Sequence, residues 1–284
     1  MNVEPQTGRA RIGLILICGV AGLLVFMLGM TLAPVVPLGV RVAGLALLIF
    51  VSLALALGLR SKARTKRMWR LALAYCVAAC AVLLGEFAGD WAVGLSGDST
   101  ATLTGFTALK LGEDVAIVGT IIILAFVTRD KLAALYLQRG RLRLGLTVGL
   151  LSFGTLTLLG LGVTLQQGLS FERMTGVLPA FTLIVVADGV MEELLFRGLF
   201  LKRLATAVGF GWANGVTAAV FALAHVGVQF TTALVPFVIV VFLLGLLWGW
   251  LMRYTDSLWA SVLVHAGVDM LIIGNALDAF SVAL

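Results

Sequence analysis

Residues 179–206 read PAFTLIVVADGVMEELLFRGLFLKRLAT. The run is long and apolar enough for a bilayer-crossing helix, yet it carries Glu192, Glu193 and Arg197 in its interior. An ionisable side chain in hydrocarbon costs at least about 2.5 kcal/mol and is tolerated where it lines a cavity or pairs with another. This stretch therefore implies both a membrane-crossing helix and a polar site within it. The chain's only two histidines, His225 and His265, lie in two later apolar runs. Three polar clusters on three late helices point to one shared intramembrane site.

The composition agrees. Hydrophobic residues make up 61% and charged residues 12% of 284 positions, with a mean hydropathy of +1.11. A soluble domain carries about a quarter charged residues. Continuous apolar runs exclude a β-barrel, whose strands alternate over short segments. The fold class is all-α, a polytopic transmembrane bundle of about eight to nine spans. Apolar runs set against breakers give 12–33, 39–59, 71–94, 114–128, 144–166, 179–206, 212–230, 235–252 and 257–279. Pro34 and Pro37 mark the first turn, Gly209 and Gly211 a later one, and Gly97–Leu109 the clearest loop.

The net charge of +6 is concentrated in short loops. Arg60, Lys62, Arg64, Lys66, Arg67 and Arg70 form one cluster; Arg129, Lys131, Arg139, Arg141 and Arg143 form another. Short basic loops mark the cytoplasmic side and favour anionic lipid headgroups, so no nucleic acid is expected as a partner. The opposite side carries Glu86, Asp90, Asp98, Glu113 and Asp114 against Lys110. This places the protein in the cell membrane as a multi-pass chain with a cytoplasmic N-terminus. The first apolar run is too long for a cleaved signal and reads as a retained span. Cys18, Cys76 and Cys80 fit neither a disulfide framework nor a zinc pattern. The whole of 1–284 reads as one membrane domain.

Each polar cluster has its own geometry. Glu193 and Arg197, four apart, share a helix face and can neutralise each other. Glu192 points about 100° away and lacks that partner, a state suited to proton transfer. Asp188, one turn earlier, either couples to Glu192 as a like charge or binds water. Phe221 and His225 share a face, as do His265 and Asp269. Gly267 between the latter admits a neighbour or a substrate. Glu192 lies roughly 17 residues before the turn at Gly209–Gly211, and His225 roughly 15 after it. In straight helices both sit about 22–26 Å from that turn, at one level.

At these residues the chain resembles the CPBP family, the CAAX-protease and bacteriocin-processing (Abi) intramembrane proteases. Its pattern is E-E-x-x-x-R, then F-x-x-x-H, then H-x-x-x-N or D. Here these are Glu192-Glu193…Arg197, Phe221…His225 and His265…Asp269, in order and on separate helices. The resemblance covers 178–278 as a catalytic core and leaves the helices of 1–140 unrecognised. It implies an endopeptidase acting on membrane-associated proteins or peptides from within the lipid bilayer. By it Glu192 activates water, His225 holds that water, and His265 and Asp269 polarise the scissile carbonyl. Glu193, Arg197, Phe221 and Asp188 support them. No cofactor is expected; zinc held by Glu192, His225 and His265 is the alternative. The competing function is a non-catalytic membrane scaffold or immunity factor with the same fold. A transporter is disfavoured, since no repeat of broken helices is visible.

Overall fold

The computed structural model describes residues 8–61, 68–168, 170–228 and 231–272, and all regular structure among them is helical. Six helical stretches are long and apolar enough to cross a membrane: Gly8–Thr31, Leu38–Ser61, Trp69–Ser96, Leu142–Gln166, Met174–Val208 and Leu234–Thr255. They coincide with six of the expected spans, and the chain is a multi-pass helical membrane protein. Large apolar side chains such as Ile17, Phe50, Leu158 and Val235 stay exposed along these helices. Lipid, as apolar as those side chains, is the solvent such faces require.

Three expected spans take another form. The fourth, 114–128, extends back to Leu103, so the expected loop Gly97–Leu109 shrinks to six residues before helix Leu103–Val127. Thr102 caps that helix, its Oγ1 accepting from the Gly105 N–H at 3.0 Å. Thr104, Gly105 and Thr107, which read as loop, belong to a capped helix, while Asp98, Ser99 and Thr100 stay in the shortened connection. The seventh, 212–230, is helical only over Phe210–Ala224, and the ninth only over Trp259–Asp269, followed by a 3₁₀ turn Met270–Ile272. Lys62, Arg64, Lys66 and Arg67 of the first basic loop lie outside the described residues, as do Met1–Thr7, 229–230 and the last span beyond Ile272.

The chain divides into two compact units, one formed by Met1–Leu83 with Phe196–Gly249, the other by Leu84–Leu195 with Trp250–Leu284. In chain order the α-helices are α1 (Gly8–Phe26), α2 (Leu38–Ser61), α3 (Trp69–Ser96), α4 (Leu103–Val127), α5 (Leu142–Gln166), α6 (Phe171–Glu192), α7 (Leu201–Val208), α8 (Phe210–Ala224), α9 (Leu234–Thr255) and α10 (Trp259–Asp269).

In the first unit α1 packs on α7 and α8, which meet at Gly209, whose φ of 85° suits glycine. The Arg11 guanidinium donates to the Val208 carbonyl and lies 5.9 Å from the Trp212 ring centre. The Tyr75 hydroxyl, on α3, donates to the Cys18 carbonyl of α1 at 2.8 Å. The cysteines are thiols.

In the second unit α10 packs on both α5 and α6, and α4 packs on α6. The turn into α10 is clamped by the loop before α5. The Leu258 N–H donates to the Tyr136 carbonyl at 3.1 Å and the Arg141 N–H to the Thr255 carbonyl at 2.7 Å. The Gln138 side chain donates to the Asp256 carbonyl at 2.9 Å and Ser257 to the Gln138 carbonyl at 3.1 Å. Burial of Tyr136, and then the Asp256 carboxylate beside it, push its phenol up to about 12. Gly267 decides an alternative left open by the sequence. A Cβ there would stand 2.9 Å from Phe153 Cα, so the glycine admits the α5 backbone as a helix neighbour.

Candidate active site

The helix that opens at Phe171 carries Pro179 in its interior and runs regularly to Glu192. From Glu193 to Gly198 it widens into a π-helix, a form uncommon elsewhere and frequent at functional sites. The chain then turns at Leu199–Phe200 before α7 begins. The straight-helix ruler used to level Glu192 with His225 does not apply, because 1.5 Å per residue holds only for unbroken α-helix. His225 itself caps the C-terminus of α8.

Five side chains of the second unit meet where α6 faces α10. His265 is buried, 3% exposed, with its Nδ1 3.0 Å from Glu193 Oε1. The Ser261 hydroxyl, one turn earlier on α10, donates to Glu193 Oε2 at 2.7 Å. Both oxygens of a fully buried carboxylate thus accept from α10, which supplies the donors a buried charge requires. An Nδ1–H donating to Glu193 fixes the ring's orientation and turns Nε2 outward. Nε2 lies 3.3 Å from Glu192 Oε2 and 3.7 Å from Asp269 Oδ2. The arrangement is one imidazole clamped on one nitrogen and facing two carboxylates with the other, able to move a proton between them.

Two expectations change here. Glu192 was read as lacking a partner; it has His265, which lies 73 positions along the chain and was invisible to helix spacing. Helix spacing gives Glu193 the partner Arg197; its carboxylate also accepts from Ser261 and His265. Ser261 was missed altogether, since a serine between alanine and valine reads as packing. Its signal was the spacing Ser261, His265, Asp269, which puts three polar groups on one helical stripe. Asp188 also finds a definite partner: Lys110 Nζ on α4, 2.8 Å from Asp188 Oδ1. Lys110, Glu113 and Asp114, read as one side's loop charges, are helical residues facing α6 through this contact.

The remaining motif residues, Arg197, Phe221 and His225, lie in the first unit. The Arg197 guanidinium is fully buried, 4.2 Å from the Phe221 ring centre and 5.3 Å from that of Trp248. A desolvated cation over two aromatic faces gains about 2 kcal/mol or more. Room for it comes from Gly245, where a Cβ would stand 3.0 Å from Arg197 Nη2. Phe221 also meets Phe196 edge-on at 4.9 Å, and the His225 ring at 4.5 Å. The His225 Nδ1–H donates to the Phe221 carbonyl at 2.8 Å, which leaves Nε2 as the ring nitrogen turned away from that carbonyl. The Phe221 motif position therefore serves both Arg197 and His225. Among the described residues no group of three or more His, Cys, Asp or Glu side chains is placed to hold a metal ion.

Residues 174–271 match the family model described as type II CAAX prenyl endopeptidase Rce1-like. The matched segment contains all three motifs and excludes α1–α5. No curated protein and no solved structure matches the chain. Over that segment, a minority of the chain, which carries Glu192, Glu193, His265 and Asp269, the protein is similar to the CAAX-protease-type membrane endopeptidases of the CPBP family.

Proposed function

We propose that this protein hydrolyses peptide bonds of membrane-associated protein or peptide substrates, with Glu192 as the base that activates water. The observation that carries the reading is His265 Nε2 facing Glu192 at 3.3 Å while Nδ1 is held on buried Glu193. A water beside Glu192 gives its proton to the carboxylate as its oxygen bonds to the scissile carbonyl carbon. The carbonyl oxygen becomes an oxyanion, and an Nε2–H of protonated His265 is the donor suited to stabilise it. Asp269, on the same nitrogen, assists. When the tetrahedral intermediate collapses, the C–N bond breaks and the amine leaves with the proton carried by Glu192. Glu193 and Ser261 act as positioning residues that hold the His265 ring. His225 is assigned to the reaction on its motif.

The test compares membrane peptidomes of cells carrying wild-type and Glu192→Gln protein at equal abundance. Fragments made by the wild type disappear with Glu192→Gln, and also with His265→Ala and His225→Ala. Unchanged fragments with Glu192→Gln would remove the assignment and favour a chain that acts by binding alone.

A further inference from the structure

Glu192, Glu193, Asp269 and Asp188 bring four carboxylates into one unit, and His265 is the motif imidazole among them. The carboxylates of Asp188, Glu192 and Glu193 lie close enough to Asp269 to act on its charge. A permanent cation also enters this group, from outside the matched family segment. Lys110, on α4, sits 2.8 Å from Asp188 and 3.4 Å from Glu113. Asp188 in turn lies four residues, one helical turn, before Glu192 on the same face of α6.

We infer that Lys110 is a positioning residue of the hydrolytic centre, acting through Asp188 to offset the negative charge around Glu192 and to hold α6 against α4. The inference rests on the reading of Glu192 as base. Lys110 does not touch the reacting atoms. Its ammonium group faces a carboxylate that stands one turn from the base. The charged groups around the pair are Glu113 and Asp114 on α4, Asp90 on α3, whose charge reaches Glu113, and Asp269 and His265 on α10. Asp114 is 2% exposed and stands in the field of both Lys110 and Asp188. With Glu113 and Asp114 beside Lys110 on α4, removing its charge takes away the cation that faces Asp188. Truncating one partner of a desolvated pair is costly because the other charge stays behind.

The test uses purified full-length protein in liposomes, with the membrane polypeptide whose fragment disappears from Glu192→Gln cells as the probe. Lys110→Met lowers kcat per folded molecule roughly tenfold and leaves KM within about twofold. Lys110→Arg, which keeps the charge, restores most of the rate. The double variant Lys110→Met/Asp188→Asn, which removes both charges together, recovers to within about threefold of wild type. A merely structural lysine changes the yield of folded protein and leaves kcat unaltered. Wild-type kcat in folded Lys110→Met, with Glu192→Gln inactive, overturns this inference alone. A Glu192→Gln protein that still cleaves overturns both readings.

Discussion

Ser261→Ala removes one oxygen from a fully buried pair and almost nothing from the packing. The Ser261 hydroxyl donates to Glu193 Oε2 at 2.7 Å, and both residues are fully buried. Two magnitudes compete. Side-chain hydrogen bonds between membrane helices average only about 0.6 kcal/mol, with a maximum near 1.7. Hydrogen bonds to a charged group contribute about 1.5–3 kcal/mol, and an abandoned buried acceptor adds its own desolvation cost. The acceptor here is a carboxylate oxygen away from any polar solvent, so the charged case governs and the expected loss is about 1.5 kcal/mol. Reversible unfolding from lipid-like micelles measures it. A double cycle with Glu193→Gln isolates the pair, and the two substitutions should couple by about 1 kcal/mol. Turnover should fall as well, because Glu193 also holds His265 Nδ1 at 3.0 Å and a loosened carboxylate lets the ring tilt. A loss below about 0.5 kcal/mol together with additive energies would refute the claim that Ser261 anchors the centre.

Two further outcomes follow from the rest of the structure. Phe221→Leu keeps most of the volume but removes the aromatic face 4.2 Å from the Arg197 guanidinium; it should destabilise the protein by about 2 kcal/mol, and an unaltered unfolding midpoint counts against the cation–π account. In alkaline titration followed by tyrosinate absorbance, wild type minus Tyr136→Phe should show one phenol ionising near 12. Its raised value favours the folded state below about pH 10, the ordinary tyrosine range, and that contribution fades as pH climbs through the folded value. An ordinary titration midpoint means that the loop clamp at the head of α10 leaves Tyr136 open to water.

The sequence alone determined the class of fold and named several of the polar residues from which the candidate site is drawn. An apolar run near 20 residues has one stable form in hydrocarbon, a helix, because every backbone N–H and C=O must be satisfied within the segment. The six spans were therefore legible without a partner in view. So were Glu192, Glu193, His265 and Asp269, because an ionisable group is too costly in such a run to stand there idle. Pairing was not legible. Helical spacing relates residues three or four apart on one element, and on that rule Glu193 belonged to Arg197 and Glu192 to nothing. Tertiary packing of α10 on α6 also brought Ser261 and His265 to Glu193, and His265 to Glu192. It likewise moved Lys110 from a supposed loop to Asp188. Those partners lie 68 to 78 positions apart in the chain. Local periodicity carries no information at that range, and the choice among carboxylates was made only when the helices closed on each other.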